Sequence, residues 1–243
     1  TALEMRFFRQ ALFTVCQDIK RKLLQKIPFL EPERIRVLYS GKKPLESLPN
    51  HAPHTPRRLI TASQLVDCKG LDNLLQALAV LKQDGFGFHY TALGSGPQEE
   101  PLKTLCKQLE LDGPVEWTGF STDVPSHLQQ ADIFLLPSLE EGVPQGLIEA
   151  MAHGLVPIVS KVGGIPEIWP AHLPKEFLIP LEHGVDGIVA GLKKALSASD
   201  EEIQEWKRIA WQHVVDRLSA ETCLSAIESE LLQISGDKGW KHG

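Results

Sequence analysis

The sequence predicts an α/β fold: a doubly wound parallel sheet with helices on both faces, followed by a helical C-terminal tail. Two observations predict it. Short strand candidates are apolar on nearly every residue, and amphipathic helical patterns lie between them. A chain of 243 residues is long enough to bury such a core.

Six segments have the length and apolar character of buried strands and are bounded by turn residues, namely 58–63, 87–93, 114–119, 132–137, 156–162 and 177–180. Two leucine-rich stripes at helical spacing separate the first three: Leu71, Leu74, Leu75, Leu78 and Leu81, then Leu102, Leu105, Cys106 and Leu109. Glu99 and Glu100 suit the positive start of the second helix. Ser199 and Glu202 form a capping box that opens the tail, and a break near Ser219 is expected to divide it.

Charge divides the chain into unequal parts. Residues 1–43 carry a net charge of +6, whereas residues 44–243 carry −12. The stretch between them contains Gly41, Pro44, Pro49, Pro53 and Pro56, which disrupt helices and strands. We therefore expect an N-terminal remnant over 1–43, a linker over 44–56 and a main domain over 57–243.

The overall charge of −6 disfavours a nucleic-acid partner, because such proteins usually carry a basic excess. No apolar run approaches the roughly 18 residues that span a bilayer. The four cysteines form no CxxC pair, and we expect them to be reduced and buried or half-buried. These features predict a soluble, cytoplasmic protein.

Ligands of doubly wound sheets bind at the carboxyl ends of the strands, and two loops there are distinctive. The first, Gly94-Ser95-Gly96-Pro97, permits a tight turn and a close backbone approach to a ligand. A dinucleotide fingerprint is disfavoured because its third glycine position holds Glu99. A plain strand-to-helix turn without a ligand remains the alternative.

The second loop, within 137–154, is the strongest segment. Pro144 is expected in the first turn of a helix, which places Glu141 in the loop before it and Glu149 inside it. Free backbone N–H groups at such a helix start favour an anionic or hydroxyl-rich ligand. A carboxylate beside them can accept two hydrogen bonds from the vicinal diol of a sugar. Ordinary surface acids are the alternative.

These residues resemble the signature of the glycosyltransferase family 4 enzymes, which have the two-domain GT-B fold. Glu141 and Glu149 are separated by seven residues and followed by a short Ala-Met-Ala run. Four further motifs match in the family's order: 64–70 resembles its phosphate-binding loop, 94–97 its glycine turn, 131–138 the strand before the glutamates, and 163–167 the loop that follows. The likeness covers roughly residues 57 to 197, and it identifies the main domain as the Rossmann-like C-terminal, donor-binding half.

The resemblance implies a retaining hexosyltransferase whose donor is a nucleotide sugar, UDP- or GDP-linked, with no cofactor and no metal. Glu149 would bind the ribose diol, Glu141 with the amides of Gly142 and Val143 would hold the transferred sugar, and Lys69 would offset the charge of the diphosphate. We expect Glu141 and Lys69 to be catalytic. The expected donor-binding residues are Glu149, Gly142, Val143, Pro144, Gln64 and Gly94. The sequence has no Asp-x-Asp, which agrees with a metal-independent reaction.

Two departures from the family pattern limit what the resemblance implies. The family usually pairs the lysine with an arginine five residues earlier, where this chain has the uncharged Gln64. Arg57, Arg58 or Lys161 are candidates to compensate. Only about 55 residues precede the matched region, so we expect the enzyme to need an N-terminal acceptor domain or a partner subunit, and to take a sugar, lipid or small-molecule acceptor.

Other interpretations remain open. A non-catalytic nucleotide-sugar-binding module is the main alternative, and a nucleotide-sugar epimerase is a weaker one. The basic stretch with Phe7, Phe8, Leu12 and Phe13 is expected to be core that has lost its partner, with a peripheral helix at the inner membrane face as the alternative. His89, Trp117 and Phe120 are expected to pack in the core, with base stacking as the alternative for the two aromatics.

Overall fold

The computed structural model describes residues 11–48 and 52–236, and the N-terminal segment forms a small separate sheet. Strands β1 (Leu12–Thr14) and β2 (Ile35–Val37) pair in parallel, and α1 (Gln17–Lys26) lies between them in the chain. Leu12 and Phe13 are exposed by 42% and 47%, while Phe7 and Phe8 lie outside the described residues. The division into remnant, linker and main domain stays a prediction.

The main feature of the fold is a six-stranded sheet. Its strands are β3 (Arg57–Ala62), β4 (Phe88–Leu93), β5 (Val115–Gly119), β6 (Ile133–Leu136), β7 (Val156–Ser160) and β8 (Leu178–Ile179). They are arranged in the order β5-β4-β3-β6-β7-β8, and every pairing is parallel. This confirms the predicted fold class.

Each predicted strand is present, although several begin or end at a different residue. Alternate side chains of one strand enter opposite cores: Leu59 joins one hydrophobic cluster and its neighbour Ile60 joins the other. The same alternation divides Ile133 from Phe134. Because both faces of the sheet are buried at these strands, consecutive residues such as Leu59 and Ile60, or Ile133 and Phe134, are apolar, rather than every second one.

Helices cover both faces of the sheet. The first core is closed by α2 (Leu71–Gln83), α3 (Glu99–Gln108) and α6 (Gly184–Leu196). The second is closed by α4 (Val124–Leu128) and α5 (Gln145–Ala152). Glu99 lies in the first turn of α3, as predicted.

The C-terminal tail is helical, also as predicted. Helix α7 (Asp200–His213) begins with the Ser199–Glu202 capping box, in which both reciprocal hydrogen bonds are present. A π-helical turn over Val214–Leu218 follows, and the extended Ser219 separates it from α8 (Ala220–Gly236). The predicted break near Ser219 is therefore confirmed.

A buried ion pair ties the linker, the sheet and the tail together. Asp132 is fully buried at the start of β6 and accepts a hydrogen bond from Lys207 Nζ at 2.8 Å. The backbone N–H groups of His54 and Arg58 donate to the same carboxylate. Burial opposes ionisation of Asp132, but the charge and hydrogen bond of Lys207 outweigh it and hold the pKa of Asp132 below its usual value. The pair thus joins the start of β6 to helix α7.

Candidate functional site

The site lies at the point where the strand order reverses. From β3 the chain proceeds to β4 and β5 on one side, then crosses to β6, β7 and β8 on the other. The loops after β3 and β6 therefore leave neighbouring strands in opposite directions, which opens a crevice at their carboxyl ends. Lys69 follows β3 and Glu141 follows β6, so the fold brings the two predicted catalytic residues to one place.

Lys69 and Glu141 form an ion pair in this crevice. Lys69 Nζ lies 2.6 Å from Glu141 Oε1, and Ser138 Oγ donates to the same oxygen at 2.8 Å. Their side chains are only 19% and 9% exposed. Both hydrogen bonds use Oε1, and no donor among the described residues occupies Oε2. The arrangement supplies a fixed cation beside a carboxylate that can still accept a hydroxyl.

A glycine permits the approach of the two loops. Gly70 has φ +62°, and a Cβ atom there would lie 2.2 Å from the carbonyl oxygen of Pro137. The amide of Leu139 also donates to the carbonyl oxygen of Cys68 at 2.7 Å. No larger residue fits this close backbone contact in a left-handed conformation, so Gly70 sets the position of Lys69 next to it.

The loop after β7 supports the glutamate loop from the other side. Gly164 N–H donates to the carbonyl oxygen of Gly142 at 2.8 Å, and a Cβ on Gly163 would lie 1.9 Å from the carbonyl oxygen of Glu141. Within the described ranges, no backbone carbonyl accepts from the N–H groups of Gly142 and Val143. These two amides therefore have no backbone partner there, and their contact with a sugar stays a prediction.

Helix α5 starts one residue later than expected. Pro144 is its N-cap rather than its first helical residue, with ψ 117°, because the chain is still extended there. Glu149 lies on the second turn, and its Oε2 accepts a hydrogen bond from Lys42 Nζ at 3.1 Å. Sequence reasoning missed Lys42, since no local spacing links a lysine just before the linker to a helix more than 100 residues away.

Glu167, which the sequence indicates only as part of a family-like loop, contacts the N-terminal segment closely. Its carboxylate accepts hydrogen bonds from the amides of Gln17 and Asp18 at 2.8 and 3.0 Å, and from the Tyr39 hydroxyl at 2.7 Å. Burial, followed by this hydrogen bond, raises the pKa of the Tyr39 phenol above its usual value. Glu167 thereby caps helix α1, whose own N-cap Cys16 makes no side-chain cap.

Two further residues were predicted to bind the donor, Gln64 and Gly94, and their positions say less about a ligand. Gln64 is exposed on the loop after β3. Gly94 has φ +141°, and a Cβ there would lie 1.9 Å from the carbonyl oxygen of Ser63. The close contact with Ser63 is therefore sufficient to require glycine at this position, without a ligand. The donor roles of Gln64, Gly94 and the other site residues stay predictions.

Arg57 and Arg58 cannot compensate for Gln64. Both lie at the amino end of β3, opposite the crevice, because this strand begins at Arg57. Arg57 also pairs with Asp200 at 2.7 Å. Lys161 alone of the three candidates follows the carboxyl end of a strand, β7, and it is exposed.

Three further expectations about burial are wrong. His89 is exposed, because β4 alternates and turns Phe88 and Tyr90 into the core. It lines a cavity of about 480 Å³ together with Arg58 and His127. Phe120 is 76% exposed after the end of β5. Cys68 is exposed, whereas Cys16, Cys106 and Cys223 are buried and all four are free. Trp117 does pack against the core, as expected.

The described residues contain neither a metal-binding cluster nor a membrane-spanning helix. Across 11–48 and 52–236, no three His, Cys, Asp or Glu side chains are grouped so that they could hold a metal ion. In the same ranges no helix has the length and apolar character needed to cross a membrane.

The fold and the site together define an α/β domain that brings a lysine–glutamate ion pair to the carboxyl ends of two neighbouring parallel strands. The sequence model of the family described as "Glycosyl transferases group 1" matches residues 44–212, well over half of the chain. The chain therefore belongs to this glycosyltransferase family.

Curated relatives of the chain are themselves glycosyltransferases by name. The chain is 43% identical over 129 residues to the putative colanic acid biosynthesis glycosyltransferase WcaL of Escherichia coli, covering 49% of this chain and 32% of that protein. It is 38% identical over 157 residues to the amylovoran biosynthesis glycosyltransferase AmsK of Erwinia amylovora, covering 60% and 36%. The chain thus spans about a third of the length of these relatives.

Solved structures confirm the fold. A single-residue variant of S. aureus TarM, in complex with Fondaparinux, alpha-GlcNAc-glycerol and UDP, aligns over 92% of this chain and 43% of that one, with a TM-score of 0.78 and 17% identity. Anabaena Alr3699/HepE in complex with UDP and glucose aligns over 92% and 63%, with a TM-score of 0.74 and 18% identity.

Proposed function

We propose that this chain is the donor-binding part of a retaining, metal-independent glycosyltransferase of family 4, acting on a UDP- or GDP-linked hexose. The observation that carries the proposal is the Lys69–Glu141 pair, set between neighbouring strands at the reversal of strand order and beside the amides of Gly142 and Val143. Relatives that are glycosyltransferases, and neighbours of the same fold solved with UDP, support it.

Each group has a place in the proposed reaction. The ribose diol would bind the Glu149 carboxylate, and the diphosphate would lie near Lys69 and the N-terminus of α5, where unpaired amides favour negative charge. Departure of the diphosphate develops charge on its oxygens, and the fixed ammonium group of Lys69 would stabilise that charge without a metal ion. Glu141 would accept a hydroxyl of the transferred sugar and keep Lys69 in position.

We propose that the acceptor is bound by a further domain or a partner subunit, and that the protein acts in the cytoplasm. The support for a further domain comes from the N-terminal segment, which exposes the side chains of Leu12, Phe13 and Val15 at a sheet that has two strands within the described residues. Such apolar surface is typically covered in the folded protein. A neighbouring domain that extends this sheet would bury these side chains. We favour such a domain over a membrane surface, because the exposed side chains belong to strand residues as well as loop residues.

A non-catalytic nucleotide-sugar-binding module is the second candidate, favoured by Gln64 in place of the arginine. Turnover separates the two. The chain, with its acceptor domain or partner present, is incubated with UDP- and GDP-hexoses, and release of nucleoside diphosphate is measured. Release that is lost in Lys69→Met supports the enzyme. Donor binding without release, in the same preparation, supports the module and refutes the enzyme.

A further inference from the structure

Residues 40–42, just before the linker, run along the face of α5 that carries the predicted ribose-binding residue. Gln145 Nε2 donates to Ser40 Oγ at 2.7 Å, and Lys42 Nζ donates to Glu149 Oε2 at 3.1 Å. Gln145 and Glu149 are four residues apart on the helix and therefore share one face. Residues 40–42 thus line the side of the helix from which Glu149 projects.

The C-terminal tail fixes the backbone of residues 40–42. Lys42 N–H donates to the carbonyl oxygen of Leu218, and Ala220 N–H donates to the carbonyl oxygen of Lys42, both at 3.0 Å. A Cβ on Gly41 would lie 2.4 Å from the carbonyl oxygen of Ser219, so the chain approaches the tail as closely as glycine allows. Hydrogen bonds at both the N–H and the C=O of Lys42 therefore hold the backbone from which its side chain extends to Glu149.

The pair itself is half-buried, with side-chain exposures of 32% for Lys42 and 24% for Glu149. An ionised carboxylate has about four acceptor positions, and the ammonium group occupies one of them. The others can receive both hydroxyls of a vicinal diol. An ammonium group held in place restricts the rotamers of Glu149, so less side-chain freedom remains to be lost when a ribose binds.

We infer that Lys42 is a positioning residue for the nucleoside end of the donor: its side chain, on a backbone anchored to the tail, holds the Glu149 carboxylate in the orientation that accepts the ribose diol. This rests on the proposed function, in which Glu149 binds the ribose. Residues 40–42 and the Leu218–Ala220 junction then support the donor site, although neither contains a family motif.

The test compares ribonucleotides with deoxyribonucleotides. The full chain, its Lys42→Met and Lys42→Arg variants, and the matched control Lys43→Met are titrated calorimetrically with UDP, 2′-deoxyUDP, GDP and 2′-deoxyGDP. Lys43 is the exposed neighbour, so its loss removes the same charge without touching Glu149. For a partly exposed ion pair we expect Lys42→Met to weaken ribonucleotide binding about two- to fivefold. The affinity of Lys42→Met for the deoxynucleotide should change little. Lys42→Arg should retain the preference for the ribonucleotide over the deoxynucleotide, and Lys43→Met should match the wild type.

A second background checks that Lys42 acts through the carboxylate. In Glu149→Gln the further change Lys42→Met should have no effect on ribonucleotide affinity, because the group it positions is gone. An unchanged ribose preference in folded Lys42→Met, or an equal loss for both kinds of nucleotide, overturns the inference and leaves the proposed function standing. Absence of binding to any of the nucleotides by the wild type overturns both.

Discussion

Replacing Lys69 by methionine separates the structural role of the Lys69–Glu141 pair from its catalytic one. The change removes the ammonium group 2.6 Å from Glu141 Oε1 and leaves that carboxylate, 9% exposed, with Ser138 as its remaining side-chain donor. Breaking a fully buried pair costs about 3–5 kcal/mol. Lys69 is 19% exposed and the second donor remains, so we expect a loss of about 1–3 kcal/mol in the free energy of unfolding.

The double variant Lys69→Met/Glu141→Gln should recover most of that stability, because it leaves no uncompensated charge in the crevice. Nucleoside diphosphate affinity should stay low in both variants, since the contact to the diphosphate is absent in both. Losing one charge-assisted hydrogen bond costs roughly 1.5–3 kcal/mol. Urea denaturation measures the first quantity and calorimetric titration the second, with the exposed Lys107→Met as control. Recovery of nucleotide affinity in the double variant would refute the assignment of Lys69 to the diphosphate.

Three further outcomes follow from the described contacts. The fold lowers the pKa of Asp132, so its pairing with Lys207 stabilises the protein above the unfolded pKa, near 3.8. That contribution is lost as the pH falls through the lower folded pKa. Urea denaturation across this range should therefore show that the free energy of unfolding falls more steeply with acid in the wild type than in Asp132→Asn. Gly70→Ala should destabilise the protein and weaken nucleotide binding. The control Gly85→Ala shares a positive φ but has no atom within 4 Å of the added Cβ, so it should lower the free energy of unfolding by only about 1 kcal/mol or somewhat more. Equal losses of stability in the two variants would contradict a close contact at Gly70. Glu167→Ala should speed hydrogen exchange at the first amides of α1, and unchanged exchange rates would show that its carboxylate does not hold that helix.

Periodicity was sufficient to predict the sheet. Strands such as β6, apolar at every position, are typical of central parallel strands because Ile133 and Phe134 enter opposite cores. The same reasoning failed for His89 and Phe120, which lie in or next to strands nearer the β5 edge, where the sheet is not covered on both faces. A single strand's sequence does not reveal how many neighbours cover it.

The sequence indicates site candidates only where it contains local motifs. Glu141 and Glu149 could be singled out because they lie in one loop and helix that resemble a family signature, and their donor roles stay predictions. Lys42 and the contacts of Glu167 with α1 could not be found, because they join parts of the chain more than 100 residues apart. Such contacts depend on how the linker and the N-terminal segment fold back onto the sheet, which no local spacing encodes.

Whether nucleotide binding depends on Glu149 decides if this crevice is a donor site. The chain and its Glu149→Ala variant are titrated calorimetrically with UDP, GDP and ADP and with their glucose, mannose and N-acetylglucosamine derivatives. We expect selective binding to one nucleotide family and a loss of roughly 1–3 kcal/mol in the folded variant, because the ribose diol loses its acceptor. Equal affinity of wild type and folded Glu149→Ala for that nucleotide would contradict it.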